Sequence, residues 1–564
     1  MKVIIVGGVA GGASAAARIR RLDEYAQIIM IERSGYVSYA NCGLPYYAGG
    51  VIENQEELTL QTPESFWKRF RIEVRVRQEV VAIDPEKKVI TVHALGSDKI
   101  YTEPYDKLLL APGASPTVPM LSGVDNERVF TLRTVEDILR IREFVTKHRP
   151  KTAVLAGGGF IGLEMAENLV KLGISVTIIQ ALNQLLTTLD ADMASFVHAQ
   201  VRAHGIELRL GETVEGFRQD GDCVQTLLDN GNTLPSDMVL LAIGVTPDTH
   251  LAKDAGIKLG VRDSIVVNER METSIPDIYA VGDAVEVTHF VTGQKVLISL
   301  AGPANKQGRI AADNICGGNS YFSGSQGSSV LKLFEMTVAS TGINERTAQA
   351  AGINYGKGVL FTASHAGYYP GAQSMVMKVL YEKASKKLLG AQIVGSDGVD
   401  KRIDVLATAI RSGMTALELT ELDLAYAPPY SSAKDPVNMA GFMIENLESG
   451  KVQQFHWNDV ESLPHDGSVM LLDVRTMSEY QRGHLDGFEN IPLDKLREHL
   501  DKLDKSKSVY VCCQTGLRSY LACRILSQHG FTCFNLSGGY SFYQTVIREQ
   551  ELSKSIYPCG MEKI

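Results

Sequence analysis

Two of the eight cysteines stand where sulfur chemistry is possible. Cys42 lies in "SYANCGLPYY", a polar, glycine-flanked stretch with no second cysteine nearby, the next in sequence being Cys223. A lone thiol so placed can stop at a sulfenic acid or form a mixed disulfide with a thiol that is not protein. The plain alternative is an inert buried thiol, since free cysteine is among the most buried residue types; the polar setting argues against it. Cys513 stands in "SVYVCCQTGLRSYLACRIL", a buried strand, a tight loop and a helix, with Arg518 closing the loop five residues on. A loop of this size curls its backbone N–H groups around the sulfur and favours a thiolate or persulfide anion, with Arg518 adding charge or bracing the loop. Cys512 ends the strand, where alternation turns it the other way, so it reads as packing, as do Cys523 and Cys533.

The elements that must position these thiols begin at the N-terminus. "KVIIVGG" reads as a buried parallel strand and "GGASAAARIRRL" as a helix of small residues suited to close packing on a sheet. Gly7 and Gly12 occupy the outer positions of G-x-G-x-x-G, with Val9 in the middle. A second strand, "AQIIMIER", ends at Glu32, twenty residues past Gly12, where an acid can hold a ribose hydroxyl while the helix N-terminus faces a pyrophosphate. The unit recurs at "KTAVLAGGGFIGLEMAENLVKLGISVTIIQ", with Gly157, Gly159 and Gly162 completing the fingerprint and Gln180 where NADH-binding folds usually place an acid. Gln180 can bond a ribose hydroxyl without repelling a 2′-phosphate, so NADH and NADPH both stay open. Arg18, Arg20 and Arg21 follow the first glycine loop; 18 and 21 share a helix face and suit phosphate, or are solvated surface charge, while 20 points elsewhere.

The whole chain sets outer bounds. At 564 residues it exceeds a single core and implies several domains. Hydrophobic residues at 45% and charged residues at 21% describe a globular protein, and a formal charge of -9 offers no basic face for nucleic acid. Unevenly spaced cysteines resemble neither a secreted disulfide framework nor a metal site, so no metal is expected and a reducing, cytoplasmic setting is. The N-terminal apolar run is read as a folded strand rather than a signal peptide, and no run approaches the roughly 18 apolar residues that cross a bilayer.

Further motifs carry a resemblance. "TSIPDIYAVGDAVE" places Asp283 after a strand and a glycine, and "LLLAPGASP" and "LLAIGVTP" follow the two nucleotide units. The set resembles the two-dinucleotide-domain flavoprotein disulfide reductases. That resemblance implies an α/β fold: two Rossmann-like domains for FAD and NAD(P)H, an α+β dimerisation domain and a homodimer. It implies FAD contacts at Gly7, Gly8, Val9, Ala10, Gly11 and Gly12, at Glu32, Arg33 and Asn41, and at Pro112, Gly113, Gly282 and Asp283. For NAD(P)H it implies Gly157, Gly159, Phe160, Ile161, Gly162, Gln180 and Gly244.

"SYANCGLPYY", "SHAGYYPG" at 364 to 371 and "LAYAPPYSSAKD" at 424 to 435 narrow it to the single-cysteine coenzyme A-disulfide and coenzyme A-persulfide reductases, over residues 1 to about 445. In that group the lone cysteine carries coenzyme A as a mixed disulfide, and two tyrosines of the other subunit surround the sulfur. They correspond to Tyr368 and Tyr426, although Tyr369 and Tyr430 are as plausible by composition. Ser14, Arg18, Arg21, Ser38, Asn41, Asn305, His365 and Lys434 become coenzyme A contacts. No His-x-x-x-x-Glu of the glutathione-reductase kind stands near residue 440. The C-x-x-x-x-R loop, with "LLDVRTMSEYQRGHLDGFENIPL" and "LSGGYSFY", resembles the rhodanese domains and implies Cys513 and Arg518 as its active pair.

The expected layout is an FAD domain at 1–149 and 250–325, an NAD(P)H domain at 150–249, a dimerisation domain at 326–445, a linker at 446–457 and a rhodanese domain at 458–564. The implied activity is NAD(P)H-dependent reduction of coenzyme A persulfide, polysulfide or coenzyme A disulfide. Two rivals stand beside it: an NADH oxidase or peroxidase working through a Cys42 sulfenic acid, and a C-terminal domain that only docks.

Overall fold

The computed structural model describes residues 1–553. The chain forms two compact units, one of Met1–Ala181 with Glu212–Gly327, the other of Leu182–Gly211 with the residues from Ser328 onward. Among the described residues, no helix is long and apolar enough to cross a membrane.

In the first unit, strands β1 (Lys2–Val6), β2 (Gln27–Glu32), β3 (Ile72–Val76) and β4 (Lys107–Leu110) pair in parallel. Then β5 (Val129–Thr131), β6 (Thr152–Ala156), β7 (Ser175–Gln180) and β8 (Met238–Leu241) run in the order β7-β6-β8-β5 through a second parallel sheet. The chain returns with β9 (Ile278–Ala280) to complete the first, in the order β9-β4-β1-β2-β3. These are the two Rossmann-like sheets the glycine repeats predict. Val3, Ile4 and Ile5 of β1 are fully buried, each contributing about 1.5–3 kcal/mol of transfer free energy.

Helix α1 (Ala10–Leu22) follows the first glycine loop and α2 (Phe160–Lys171) the second. The segment Leu182–Gly211 leaves this unit and carries α3 (Ala191–Ala203); α4 (Ala301–Ile315) belongs to the first unit again and packs on α1. Two glycines make this geometry. Gly7 turns out of β1 at φ +95°, where a Cβ would lie 2.1 Å from Ala111 O. Gly308 lets α4 touch α1 backbone to backbone, since a Cβ there would stand 2.3 Å from Gly11 O. Val9, which breaks the fingerprint, has φ -100°, so its backbone needs no glycine.

In the second unit, β10 (Ser329–Leu333), β11 (Met336–Gly342), β12 (Tyr355–Ala363), β13 (Ser374–Glu382) and β14 (Leu388–Gly395) form an antiparallel sheet in the order β10-β11-β14-β13-β12, with α5 (Val399–Arg411) packed on it. Helix α6 (Pro436–Glu448) follows. The segment expected as a linker, 446–457, is structured: it holds the end of α6 and β15 (Gln453–Phe455), which pairs in parallel with β19 (Cys533–Leu536). With β16 (Met470–Asp473), β17 (Glu489–Asn490) and β18 (Val509–Cys512) these make a parallel sheet in the order β15-β19-β18-β16-β17.

Helices α7 (Leu517–Gln528) and α8 (Gly539–Ser553) flank that sheet. The C-terminal fold is docked within its unit. Phe542 of α8 meets Phe196 of α3 at a centroid distance of 5.5 Å, and Arg202 pairs with Glu549 at 3.1 Å. Trp457 Nε1 donates to Asp192 at 3.4 Å, and Asp192 in turn receives the fully buried Lys378 ammonium at 2.8 Å. A tether of roughly ten flexible residues, which the composition around residue 450 suggests, is absent because β15 and Trp457 commit it to the packing.

Candidate active site

A cleft of about 1440 Å³ opens in the first unit where β1, β4 and β9 end at Gly7, Ala111 and Val281, the carboxyl edge at which open α/β sheets bind ligands. Glu32 lines it, with one carboxylate oxygen accepting from Gly8 N–H at 2.8 Å and the other from Ser34 N–H at 2.9 Å. Burial raises the Glu32 carboxyl above its ordinary value against those two bonds. Gln180 repeats the arrangement in the second nucleotide unit: its Oε1 accepts from Gly158 N–H at 2.8 Å. The amide thus does the loop-holding work of the acid without its charge.

Val9, Ala10 and Gly11 border the cleft, as do Arg33, Pro112 and Gly113. Gly282 and Asp283 close its far side in a single turn, with Gly282 N–H held by the buried Gln307 at 2.7 Å and Asp283 paired with Arg133 at 2.7 Å. Gly8 and Gly12 pack behind the loop, where a Cβ would meet Val37 and Gly7 respectively. Asn41 lines this space, and its buried Oδ1 has no hydrogen-bond partner. A buried acceptor without a donor costs about 1–3 kcal/mol. This orphaned atom beside a glycine-lined cradle fits a bound dinucleotide.

Cys42 opens on the same cleft from a single turn, Asn41–Gly43, ahead of the short helix Leu44–Ala48. Its thiol is pushed above its ordinary value by desolvation, then by the charges of Glu164 and Asp283, with Arg133 pulling the other way. Glu164, on α2, comes within 3.4 Å of Tyr46 OH. Burial lifts its carboxyl to about 7. It lies in the second fingerprint stretch, "FIGLE", but nothing in the spacing predicts that α2 carries this carboxyl toward the thiol.

Ser14 on α1 hydrogen-bonds Asn305 on α4, a pairing 291 residues apart that the Gly11–Gly308 approach makes possible. Arg21 and Ser38 line the cleft with them. Arg18 does not: its guanidinium turns to Asp313 at 2.7 Å. Arg20 is buried and spends its donors on the carbonyls of Phe70, Ala26 and Arg71, a brace for the helix end. Arg309, one turn beyond Asn305 on α4, joins the lining and has no sequence motif to announce it.

The second unit holds the paired phenols. Tyr368 OH and Tyr426 OH lie 2.6 Å apart, both side chains exposed, and the shared hydrogen bond raises the Tyr426 hydroxyl above its ordinary value. Tyr369 instead packs edge-on against the buried His365 at 5.6 Å. Tyr368 and Tyr426 thus form a pair, while His365 is inside rather than at the surface. Lys434 is exposed. The loops are joined from beneath by Arg402, 1% exposed, which donates to Ser364 O at 2.9 Å, Ser431 Oγ at 3.1 Å and Asp435 at 3.1 Å.

At the C-terminal loop, Cys513 Sγ receives Gly516 N–H at 3.1 Å and Ser519 Oγ at 3.1 Å. Arg518 makes two bonds to Glu479, 2.7 and 2.6 Å, so it braces the loop; the guanidinium holds the Glu479 carboxyl down at about 2. The "LSGGYSFY" turn supports the loop from the other side, with Tyr540 N–H on Cys513 O at 2.8 Å. Cys512 and Cys513 fall in different apolar clusters, the opposite orientations that strand alternation predicts.

Residues 1–308 match the pattern of the pyridine nucleotide-disulphide oxidoreductases. The chain belongs to that family. Residues 328–436 match the family's dimerisation domain, and residues 456–545 match the rhodanese-like domain. A coenzyme A disulfide reductase of Staphylococcus haemolyticus is 35% identical over 447 residues, 79% of this chain and all of the relative. Among solved structures, the reduced CoADR-RHD protein of Bacillus anthracis superposes with a TM-score of 0.94 at 46% identity, covering 97% of this chain and 98% of that one. A NAD-dependent persulfide reductase from A. fulgidus superposes with a TM-score of 0.90 at 38% identity, covering 96% and 100%. This oxidoreductase therefore shares its architecture with both relatives through the C-terminal fold.

Proposed function

We propose that this family member reduces sulfur–sulfur bonds of coenzyme A persulfide, polysulfide or coenzyme A disulfide, with NAD(P)H as donor and Cys42 as the reacting thiol. The observation that carries it is Cys42 itself, one exposed thiol at the dinucleotide cleft with no cysteine within reach in sequence. The protein must therefore meet a sulfur brought by substrate. The cysteine attacks the inner sulfur of coenzyme A persulfide, a Cys42–coenzyme A disulfide forms, and hydrosulfide leaves with the outer sulfur. With coenzyme A disulfide, the same attack expels one coenzyme A thiolate. Bound FAD supplies the two-electron step from NAD(P)H that reopens the mixed disulfide.

The chain's own residues prepare each part. The Gly7–Gly12 loop, Glu32, Asn41 and Asp283 hold the flavin nucleotide, and the Gly157–Gly162 loop with Gln180 and Gly244 holds NAD(P)H. Arg21, with Arg309, faces coenzyme phosphate, and Ser14, Ser38 and Asn305 hydrogen-bond along it; Arg18, occupied by Asp313, supports α1 instead. Tyr368 and Tyr426 of the partner subunit, with Lys434, complete the sulfur site. The two hydroxyls share a hydrogen bond, which raises that of Tyr426, and the pair donates to the leaving sulfur. In the rhodanese fold, Cys513 takes up sulfane sulfur under the donors of Gly516 and Ser519.

A sulfenic acid cycle acting on peroxide or oxygen would use the same lone cysteine but neither the phenol pair nor the C-terminal loop. Steady-state NAD(P)H oxidation separates the readings. Coenzyme A persulfide and disulfide should sustain turnover that Cys42→Ser abolishes, with peroxide a poor acceptor. Faster turnover with peroxide than with either coenzyme A substrate would overturn the proposal.

A further inference from the structure

The Cys513 loop has two guanidinium groups bonded to or within it, and carboxylates hold both. Arg518 gives two bonds to Glu479 at 2.7 and 2.6 Å. Arg475 is buried, pairs with Asp473 at 2.6 Å, and donates to Gly483 O at 2.8 Å and to the loop residue Gln514 at 3.1 Å. The sulfur itself is left with neutral donors, Gly516 N–H and Ser519 OH. Arg482, which ends the helix Met477–Gln481, is exposed and turns its Nε to Ser478 O at 3.2 Å. Residues 456–545 hold eleven Asp and Glu against nine Lys and Arg, so the net charge of this fold does not draw an anion in.

The side chains flanking the loop are apolar and unburied. Leu517, which follows Gly516, is 58% exposed, and Leu521, four residues on and on the same face of α7, is 43% exposed. Met477, at the start of the helix that carries Glu479, is 52% exposed. Packing does not account for them, since neither apolar cluster of this fold includes any of the three.

We propose that this loop selects its sulfur donor by charge: it takes sulfane sulfur from small organic persulfides and refuses thiosulfate, with Leu517, Leu521 and Met477 as the contacts for the organic arm. In the transfer, the Cys513 thiolate attacks the outer sulfur of R–S–SH. That S–S bond breaks, its electron pair leaves with the inner sulfur as the thiolate of R, and Cys513 is left as a persulfide. The single negative charge passes from Cys513 to the leaving thiol, and no oxidant or reductant is consumed. An apolar arm on that thiol can lie against the leucines. Thiosulfate would bring two charges to the loop and release sulfite, itself a dianion, beside apolar side chains and with both guanidinium groups already paired. The inference rests on the reading of Cys513 as the acceptor of sulfane sulfur and adds which donor it accepts.

The test follows sulfur loading in full-length holoprotein carrying Cys42→Ser, reduced, freed of reductant and kept without NAD(P)H. One sample receives N-acetylcysteamine persulfide, whose arm is uncharged, and another inorganic thiosulfate. Alkylation and peptide mass spectrometry then read the gain of one sulfur on Cys513, with Cys513→Ser as the blank. Thiosulfate should load Cys513 at least about tenfold more slowly than the persulfide, and Glu479→Gln and Leu517→Lys, which each add one positive charge at the loop, should each raise the thiosulfate rate by about tenfold. Leu517→Lys leaves the Arg518–Glu479 brace in place, so it answers the question even where Glu479→Gln loosens the loop. Equal loading by the two donors in the Cys42→Ser parent, or a donor ratio unmoved by both charge variants, would overturn the proposal alone. Loading by neither donor would overturn the reading of Cys513 as acceptor and this inference with it.

Discussion

In the proposed cycle Cys42 reacts as a thiolate, yet Glu164 and Asp283 oppose that charge and Arg133 alone favours it. The decisive neighbour is Glu164, because its carboxyl titrates near 7. Below that pH Glu164 is neutral and leaves the thiolate undisturbed; above it, its charge raises the cost of ionising Cys42. Glu164→Gln should therefore shift the pH profile of Cys42 alkylation to lower pH and remove the inflection near neutrality. An unchanged profile would show that Glu164 does not act on the thiol. At this scale the sequence shows the reactive residue but not its neighbours: "NCG" and "FIGLE" are separated by 118 residues between Tyr46 and Glu164, and no local pattern encodes their meeting.

Elements whose signal is local were readable and elements joined by buried polar contacts were not. A strand, a glycine turn and a helix recur twice in the first unit, and each part follows from neighbouring residues. The "SHAGYYPG" and "LAYAPPYSSAKD" loops were visible as motifs, but their junction rests on Arg402, a residue of α5 that looks in sequence like any helical arginine. The segment at 446–457 departs from its composition for the converse reason. Its polar composition suggests a tether, while β15 finds its partner some 80 residues later, at Phe534–Leu536. Removing the Arg402 cation takes from the buried Asp435 its nearer cationic partner and leaves Lys401 at 3.8 Å, a change that costs less than the about 3–5 kcal/mol of a buried pair broken outright. Arg402→Met should lower the melting temperature and, in protein still folded, cut turnover by separating Tyr368 from Tyr426. Full activity with unchanged melting would show that the loops hold themselves.

On the scale of the whole molecule, Cys42 belongs to the first unit and the phenols to the second, and the proposed function has one chain complete the sulfur site of another. Cys42→Ser protein mixed with Tyr368→Phe/Tyr426→Phe protein under subunit exchange should regain activity, since one hybrid site is intact. Proven exchange without recovery would place both halves of the site within a single chain. The central claim is that the lone thiol holds coenzyme A, and intact mass spectrometry tests it most directly. Protein prepared without reductant should lose the mass of one coenzyme A per chain when reductant is added, and Cys42→Ser should carry none. The same mass before and after reductant, in protein shown to hold an oxidised Cys42, would contradict the account.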